Sequence, residues 1–536
     1  MGYESKLVGP ALKIRSFLDK FPNVHNIYVI ACVTCSAGLL FGFDISSMSA
    51  FIGTSQYREY FDAPDSSLQG VITASMAIGS IVGALASSFV SEPLGRRPSL
   101  IVCGLLWSVG AIIQASTHGV GQLIGGRIVS GLGVGFGTSS APVLSAELCP
   151  RRIRGVIGGS FQLAVTIGIM VMFYISYGCA QIDGTASFRV AWALQIVPGV
   201  LLILGSIFIV PESPRWLAKH GYWEDAEEIV AKIFAKGNRE DPDVLIEISE
   251  IKEQILTDKD AKAFTYADLF TKKYLPRTIT GMFAQIWQQM TGMNVMMYYI
   301  VYIFQMAGYK GNQLLVSSSI QYVLFVVATV PSLFLLDKLG RRPVLLTGAV
   351  AMMTLHFAVA GILATYGKPV DNIDGDDTLR IEIPQDQSSA AKGVIACCYL
   401  FVISFGMSWG TGIWLYCSEI YGDSASRQRG AAVSTACNWI FNTALALFVP
   451  SAFKNITWKS YIIFGVFCAA KFIHVFFFFP ETKGKRLEEI GMMWDEKVPA
   501  WRSSKWEPNV PVLGDDDLEK ERIEHYEGSG SSDEGH

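Results

Sequence analysis

The chain has 536 residues, 51% hydrophobic and only 17% charged, with a formal net charge of −4 and a mean hydropathy of +0.35. Soluble domains carry about 25% charged residues, so this composition excludes an ordinary soluble domain, and the slightly acidic balance excludes nucleic acid as a partner. The cysteines, among them Cys32, Cys103, Cys397, Cys398, Cys437 and Cys468, stand in apolar runs and read as small hydrophobes, not a disulfide framework or a metal site.

Residues 1–26 are polar, carry Lys6, Lys13, Arg15 and Lys20, and lack a small-residue cleavage site, so no cleavable signal is expected. Lys6 stands where myristoylation needs Ser or Thr. Apolar runs of the roughly 20 residues that a bilayer requires predict spans at 27–49, 67–90, 98–116, 121–146, 155–178, 189–210, 278–304, 314–336, 343–366, 391–417, 430–451 and 458–479. The expected fold is therefore an all-α membrane protein of 12 transmembrane helices in two six-helix pseudo-repeats. The expected division is a cytoplasmic segment 1–26, a bundle 27–210, an intracellular helical linker 211–277, a bundle 278–479 and a cytoplasmic tail 480–536. The tail, with Asp515 to Asp517 and Gly528-Ser529-Gly530, reads as disordered after about residue 510.

The first span holds Asp44 and the fourth opens on Arg127. Ionisable residues inside a membrane mark ion or substrate pathways and usually pair. Desolvation and a neighbouring guanidinium pull a carboxylate's proton affinity in opposite directions, so movement of Arg127 relative to Asp44 would couple protons to substrate; a static strut between spans 1 and 4 is the simpler reading. The same fourth span carries Gly131, Gly133, Gly135 and Gly137 with no strand before them, which fits close helix approach, not phosphate binding.

Charged motifs recur in order around the spans. Leu94-Gly95-Arg96-Arg97-Pro98 returns as Leu339-Gly340-Arg341-Arg342-Pro343; Glu147 with Arg151, Arg152 and Arg154 is echoed by Glu419 with Arg427 and Arg429; Pro211-Glu212-Ser213-Pro214-Arg215 is echoed by Pro480-Glu481-Thr482-Lys483. A long repeat of apolar spans with charged hinges marks a two-halved transporter. Arg96, Arg97, Glu147, Arg154, Glu212 and Arg215 in one half, and Asp337, Arg341, Arg342, Glu419, Arg429 and Glu481 in the other, sit at span ends. They could form a two-state latch or simply obey the positive-inside rule. The arginines of the even-numbered connections outnumber the cations opposite them, which puts both termini and the linker in the cytoplasm. In the linker, Ala226, Ile229, Val230 and Ile233 form one apolar stripe, as expected of a helix lying flat under the bundle, and Asn455-Ile456-Thr457 is a glycosylation sequon in a short outer loop.

The seventh span reads Gln285-Ile286-Trp287-Gln288-Gln289-Met290-Thr291-Gly292-Met293-Asn294. So many amides must face a cavity or other helices. Asn294 lies about 240° round an ideal helix from Gln288, so it joins the same site only if the helix breaks near Gly292. Amides both donate and accept, which matches sugar hydroxyls, and Gln162, Trp414, Asn438 and Trp439 add the same chemistry; each alone could be interhelical glue. No excess of carboxylates or arginines appears in the spans, so the cargo is expected to be neutral and polyhydroxylated. No nucleophile–base pair or metal spacing appears, so no enzyme, no cofactor and no metal is expected.

These motifs together resemble the sugar porters of the major facilitator superfamily, over nearly the whole chain. Met293 to Tyr299 and Trp409-Gly410-Thr411-Gly412-Ile413-Trp414 are similar to the fungal high-affinity glucose transporters. The resemblance implies alternating access at the plasma membrane, sugar contacts from Gln162, Gln288, Gln289, Asn294, Trp414 and Asn438, and an outer gate from Tyr298 and Tyr299. It puts Asp44 and Arg127 where proton-coupled members carry the titrating Asp and its partner, which favours symport of a hexose, glucose first, over facilitative uniport or a non-transporting sensor. The expected partners are thus a neutral monosaccharide, protons and the lipid bilayer, with one chain as the functional unit and the oligomeric state left open. Three positions depart from the pattern: Phe325 replaces a sugar-binding Asn, Gly406 a Glu of animal relatives, and Pro93 an Arg of the first loop motif.

Overall fold

The computed structural model describes residues 24–507 except 50, 52–53, 63, 151–152, 260–263, 310, 372, 374–378, 423 and 486, together with Ile14, Phe17, Leu18 and Phe21. The tail expected to be disordered after about residue 510, the arginines at 151 and 152, and the side chain of Arg154 lie outside the described residues.

The first six spans are α1 (Ile27–Ser49), α2 (Ser66–Leu94), α3 (Arg96–Ala115), α4 (Val120–Leu148), α5 (Arg154–Cys179) and α6 (Ala186–Leu194 continued by Ile196–Phe208). The joint in α6 lies where Pro198 removes the amide that would bond the Leu194 carbonyl. The second six are α7 (Leu275–Met290, Met293–Tyr298 and Ile300–Met306), α8 (Gly311–Leu339), α9 (Arg341–Tyr366), α10 (Ser388–Phe405 continued to Glu419), α11 (Ser424–Ile456) and α12 (Lys459–Phe478). Among the described residues eleven helices are long and apolar enough to cross a membrane unaided. The twelfth, α7, falls short because it is broken where the amide spacing required a break: Gly292 adopts φ 80°, a left-handed conformation that only glycine takes without strain. Large apolar side chains such as Phe89, Leu201, Val327, Phe334 and Ile473 lie exposed on the helix flanks, a surface suited to lipid and not to water.

Within the first six helices α2 packs on α4, α1 on α5 and α3 on α4; within the second, α7 packs on α11 and α9 on α12 and α10. The two sets meet through α2 against α11 and α5 against α8. Exchanging each helix for its counterpart six places along turns one of these contacts into the other, as a pseudo-two-fold requires. The glycine run of α4 does what its small size suggested. A Cβ on Gly131 would meet the Met76 carbonyl at 2.1 Å, and one on Gly135 the Ser80 carbonyl at 2.3 Å, so α4 and α2 touch backbone to backbone.

Between the halves run the helices Pro214–Lys219, Trp223–Ala235 and Pro242–Lys259. Ala226 and Val230 of the expected stripe are buried in a small separate core with Trp216, Val244, Ile248 and Ile251, while Ile229 and Ile233 are half-buried. Trp216 Nε1 donates to the Glu92 carbonyl at 2.7 Å and ties this unit to the end of α2. The polar stretch before α10 contains a two-residue antiparallel pairing, Lys368–Pro369 with Ile381–Glu382. Strands this short leave no alternation for sequence to show. Asn455 sits in the last turn of α11, its amide bonded to the Ser451 carbonyl at 2.9 Å.

Candidate functional site

The broken α7 builds an amide cluster. Gln288 and Gln289 end its first segment, and Asn294, just past the break, donates to Gln289 Oε1 at 2.7 Å. Asn438 of α11 is the hub: its Nδ2 donates to Gln285 Oε1 at 2.6 Å and Gln288 Oε1 at 2.7 Å, and its Oδ1 accepts from Gln289 Nε2 at 2.7 Å. Gln288 Nε2 donates in turn to the Trp409 and Gly410 carbonyls at 3.1 and 3.3 Å. Those carbonyls belong to the π-helical turn Gly406–Gly410 of α10, where the regular ladder is interrupted. From the other half, Gln162 on α5 accepts from Trp414 Nε1 at 3.0 Å.

A small cavity of about 30 Å³ lies between the halves, lined by Gln162, Gln288, Gln289, Asn294 and Trp414 with Phe41, Ile45, Val165, Ile169, Met293, Met297, Phe325 and Phe405. That is far below the roughly 300–1,000 Å³ of ligand pockets, so the chamber must widen to take a sugar, but a mostly apolar wall with a few convergent polar groups is their usual make-up. Asn438 stands one layer behind the wall. Trp439 is outside it, packed edge-on against Phe41 at 4.8 Å with its Nε1 near Thr138 Oγ1 at 3.4 Å. Phe325 is in the wall.

Asp44 lies on α1 between the wall residues Phe41 and Ile45 and points away from the cavity toward α4. Its Oδ2 is 3.1 Å from Arg127, and both side chains are fully buried. Arg127 also donates to the Ile72 carbonyl at 3.0 Å and the Thr73 carbonyl at 3.4 Å. Asp44 Oδ1 has no hydrogen-bond partner among the described residues. Tyr298 lies near Asp44 and against Asn442. Tyr299 donates to the Ala446 carbonyl at 3.0 Å and neighbours Thr73 of α2.

The repeated motifs give repeated geometry at the charged end of the bundle. Glu212 accepts from the backbone of Arg96 and Arg97, capping α3, and Glu481 accepts from the backbone of Arg341 and Arg342, capping α9. A carboxylate at a helix N-terminus satisfies amides the helix cannot. Gly95 and Gly340 precede these caps at φ 105° and 95°, and a Cβ on either would strike the capping carboxylate at 2.2 or 2.6 Å. Burial pushes the Glu212 carboxyl above its ordinary value, against the pull of the N–H bonds it accepts. Arg96 pairs with Glu147 at 3.2 Å, and Arg341 with Glu419 at 2.8 Å. Ser213 and Thr482 donate to those same two glutamates. Arg215 pairs with Glu247 inside the linker unit at 3.2 Å; Arg342 donates to the Phe476 carbonyl at 2.8 Å. Arg97 donates to the Ser206 carbonyl at 2.8 Å.

Most of these pairs stay within one half. Across the halves, Arg429 of α11 meets Glu92 of α2 at 2.6 Å, and the Asp337 carboxylate lies against Gly155 at the start of α5. At the opposite end Ser49 and Tyr322 approach to 3.4 Å and Phe173 packs on Tyr322 at 4.6 Å. Three residues were missed in sequence. Glu92 stands next to the loop motif. His356 on α9 and Lys471 on α12 are each 1% exposed, and the rule that singled out Asp44 applies equally to them.

Residues 30–494 match the family described as sugar (and other) transporter. The chain is 62% identical over 520 residues to a high-affinity glucose transporter 1 of Candida albicans, covering 97% of this chain and 95% of the relative. It is 57% identical over 506 residues to a high-affinity glucose transporter of Kluyveromyces lactis, covering 94% and 92%. Among solved structures it is similar to the proton:xylose symporter XylE bound to 6-bromo-6-deoxy-D-glucose, with TM-score 0.74 and 27% identity, covering 87% of this chain and 99% of that one. The chain is a multi-pass membrane transporter and belongs to the sugar (and other) transporter family of the major facilitator superfamily.

Proposed function

We infer that the chain carries a hexose, glucose first, across the plasma membrane by alternating access, together with a proton. The observation that carries the proton is the Asp44–Arg127 pair, 3.1 Å apart and sealed from solvent, one helical face away from the chamber wall. An intramembrane ion pair is costly to keep, and one carboxylate oxygen here has no partner among the described residues. Sugar drawing in Phe41 and Ile45 would shift α1 against α4, change the Asp44–Arg127 separation and so release or bind the proton. One charge crossing 100 mV is worth about 2.3 kcal/mol, enough for roughly fiftyfold accumulation of a neutral solute.

The cargo reading rests on the amide-lined, aromatic-walled chamber and on relatives named as glucose transporters. Gln162, Gln288, Gln289, Asn294 and Trp414 would touch the sugar, Asn438 would orient the amides, and Trp439 would pack behind them. Tyr298 and Tyr299 would form the outer gate. Residues 27–210 and 278–479 would rock as two bodies joined by the linker 211–277. Residues 1–26 and 480–536 would face the cytoplasm on the positive-inside argument. Glu92–Arg429 and Asp337 against Gly155 would open and close as the cytoplasmic latch. The intra-half pairs of Arg96, Arg97, Glu147, Glu212, Arg215, Arg341, Arg342, Glu419 and Glu481 would brace each body. Arg154 would join the same latch. One chain encloses the chamber, so one chain would transport.

A facilitative uniporter is the second reading, favoured by the backbone bonds that pin Arg127 to Ile72 and Thr73 as a strut would be pinned. Expression in cells lacking other sugar carriers separates the two. Added glucose should alkalinise a weakly buffered medium as uptake begins; uptake with no pH change supports the uniporter.

A further inference from the structure

The amide cluster has a second support behind it, and that support is ionisable. Lys471 on α12 is buried, and its ammonium lies 4.1 Å from the centroid of the Trp409 ring. No oxygen among the described residues answers the ammonium; the thiol of Cys468, one turn earlier, is the polar group beside it. A desolvated cation over an indole face is the strong form of the cation–π contact. The ring is fixed on its far side too, since Trp409 Nε1 donates to the Leu345 carbonyl of α9 at 2.8 Å.

Trp409 is also the residue whose backbone holds the cluster. Its carbonyl accepts from Gln288 Nε2 at 3.1 Å, and the π turn that frees this carbonyl is the segment the Lys471 charge presses upon. His356 steadies the other side of Gln288: its ring nitrogen meets the Thr291 carbonyl at 2.8 Å, and Thr291 Oγ1 donates to the Gln288 carbonyl at 2.6 Å. A charge kept inside a bilayer at such cost, away from the Asp44–Arg127 pair, thus bears on one wall amide.

We propose that Lys471 is a positioning residue for the sugar site, its charge on the Trp409 face holding the π turn so that the Trp409 carbonyl sets the direction of the Gln288 amide. The proposal rests on the reading of the chamber as the sugar site. Loss of the charge lets the turn relax and the amide rotate, which weakens sugar binding in every state of the cycle alike. Uniform weakening raises KM and spares kcat.

Glucose uptake is measured as KM and as Vmax per surface-expressed molecule for the wild type, Lys471→Met and Lys471→Arg. Met keeps the length without the charge; Arg keeps the charge. The expected result is a KM raised about three- to tenfold in K471M, the worth of one neutral hydrogen bond, with Vmax changed less than about twofold and K471R near the wild type. An unmoved KM in K471M overturns the proposal, as does a K471R as impaired as K471M, since space and not charge would then matter. If K471M does not reach the membrane, Trp409→Leu removes the ring and leaves Lys471 in place; it should raise KM by the same factor, and an unchanged KM there overturns the proposal. Absence of saturable glucose uptake by the wild type overturns the sugar-site reading, and the proposal with it; normal wild-type uptake beside an unmoved K471M overturns the proposal alone.

Discussion

The ring of Phe325 lies over Gly406, so close that a Cβ built on Gly406 would sit 3.3 Å from the ring and 3.1 Å from the Cβ of Ala328. Two departures from the family pattern are therefore one packing unit. The aromatic ring fills the space above α10 that a larger residue at 406 would need. Phe325 packs on Phe405 at 6.0 Å, and both rings face the chamber. Gly406→Glu alone should abolish uptake, since overpacking costs about 1–3 kcal/mol and displaces the wall. Phe325→Asn in the same chain should restore part of it. Phe325→Asn alone should change the order in which unlabelled hexoses and xylose compete with labelled glucose, because it adds a donor and an acceptor to an apolar part of the wall. Competition assays on the three variants check this.

Asn438 joins three glutamines at once. Asn438→Ala leaves buried amides unanswered, at about 1–3 kcal/mol for a lost partner, so KM for sugar should rise roughly tenfold or more. Asn438→Asp should fail as well, because a carboxylate cannot donate to Gln285 and Gln288. Titration of the purified variants with glucose reads this directly.

The two carboxylate caps make parallel predictions. Glu481→Ala should cost about 1–2 kcal/mol of stability, the worth of an N-cap, and Glu212→Ala a similar amount. Gly340→Ala should cost more, because it forces a side chain into left-handed backbone and into the carboxylate of Glu481. Thermal unfolding in detergent ranks the three.

The pair of Arg429 and Glu92 ties the halves together at the charged end. It is partly exposed, so breaking it should shift the balance of conformations by about 1 kcal/mol or less. Arg429→Glu should lower uptake several-fold by placing like charges face to face, and the exchange Glu92→Arg with Arg429→Glu should recover it. An exchange variant no better than the single one would show that the pair does not hold the halves.

Much of this was legible in sequence because a bilayer forces plain signals. Twelve apolar runs, the doubled motifs and a break near Gly292 follow from hydrogen-bond satisfaction and residue spacing alone. Chamber-lining Gln162, Gln288, Gln289, Asn294 and Trp414 announced themselves as amides and indole where lipid-facing residues belong. The placing of Asn438 behind the wall and of Trp439 outside it depends on how α11 is rotated, which polar residues scattered round that helix, such as Ser434, Asn438, Asn442 and Thr443, do not specify. The contrast between pairs that stay within a half, such as Arg96–Glu147, and the pair that crosses, Arg429–Glu92, depends on tertiary approach. Lys471 and His356 were readable by the intramembrane-charge rule; what they support, through the Trp409 and Thr291 carbonyls, was not, because a backbone oxygen leaves no mark in sequence.

On the proposed mechanism, Asp44 carries the proton that moves with the sugar. Purified protein in vesicles, given labelled glucose and an acid-outside gradient, should concentrate sugar above the bath, and Asp44→Asn should bring it only to equality while still exchanging labelled for unlabelled glucose. Equal accumulation by Asp44→Asn would show that this carboxylate does not carry the proton, and a wild type that never exceeds equality under the gradient would rule out symport.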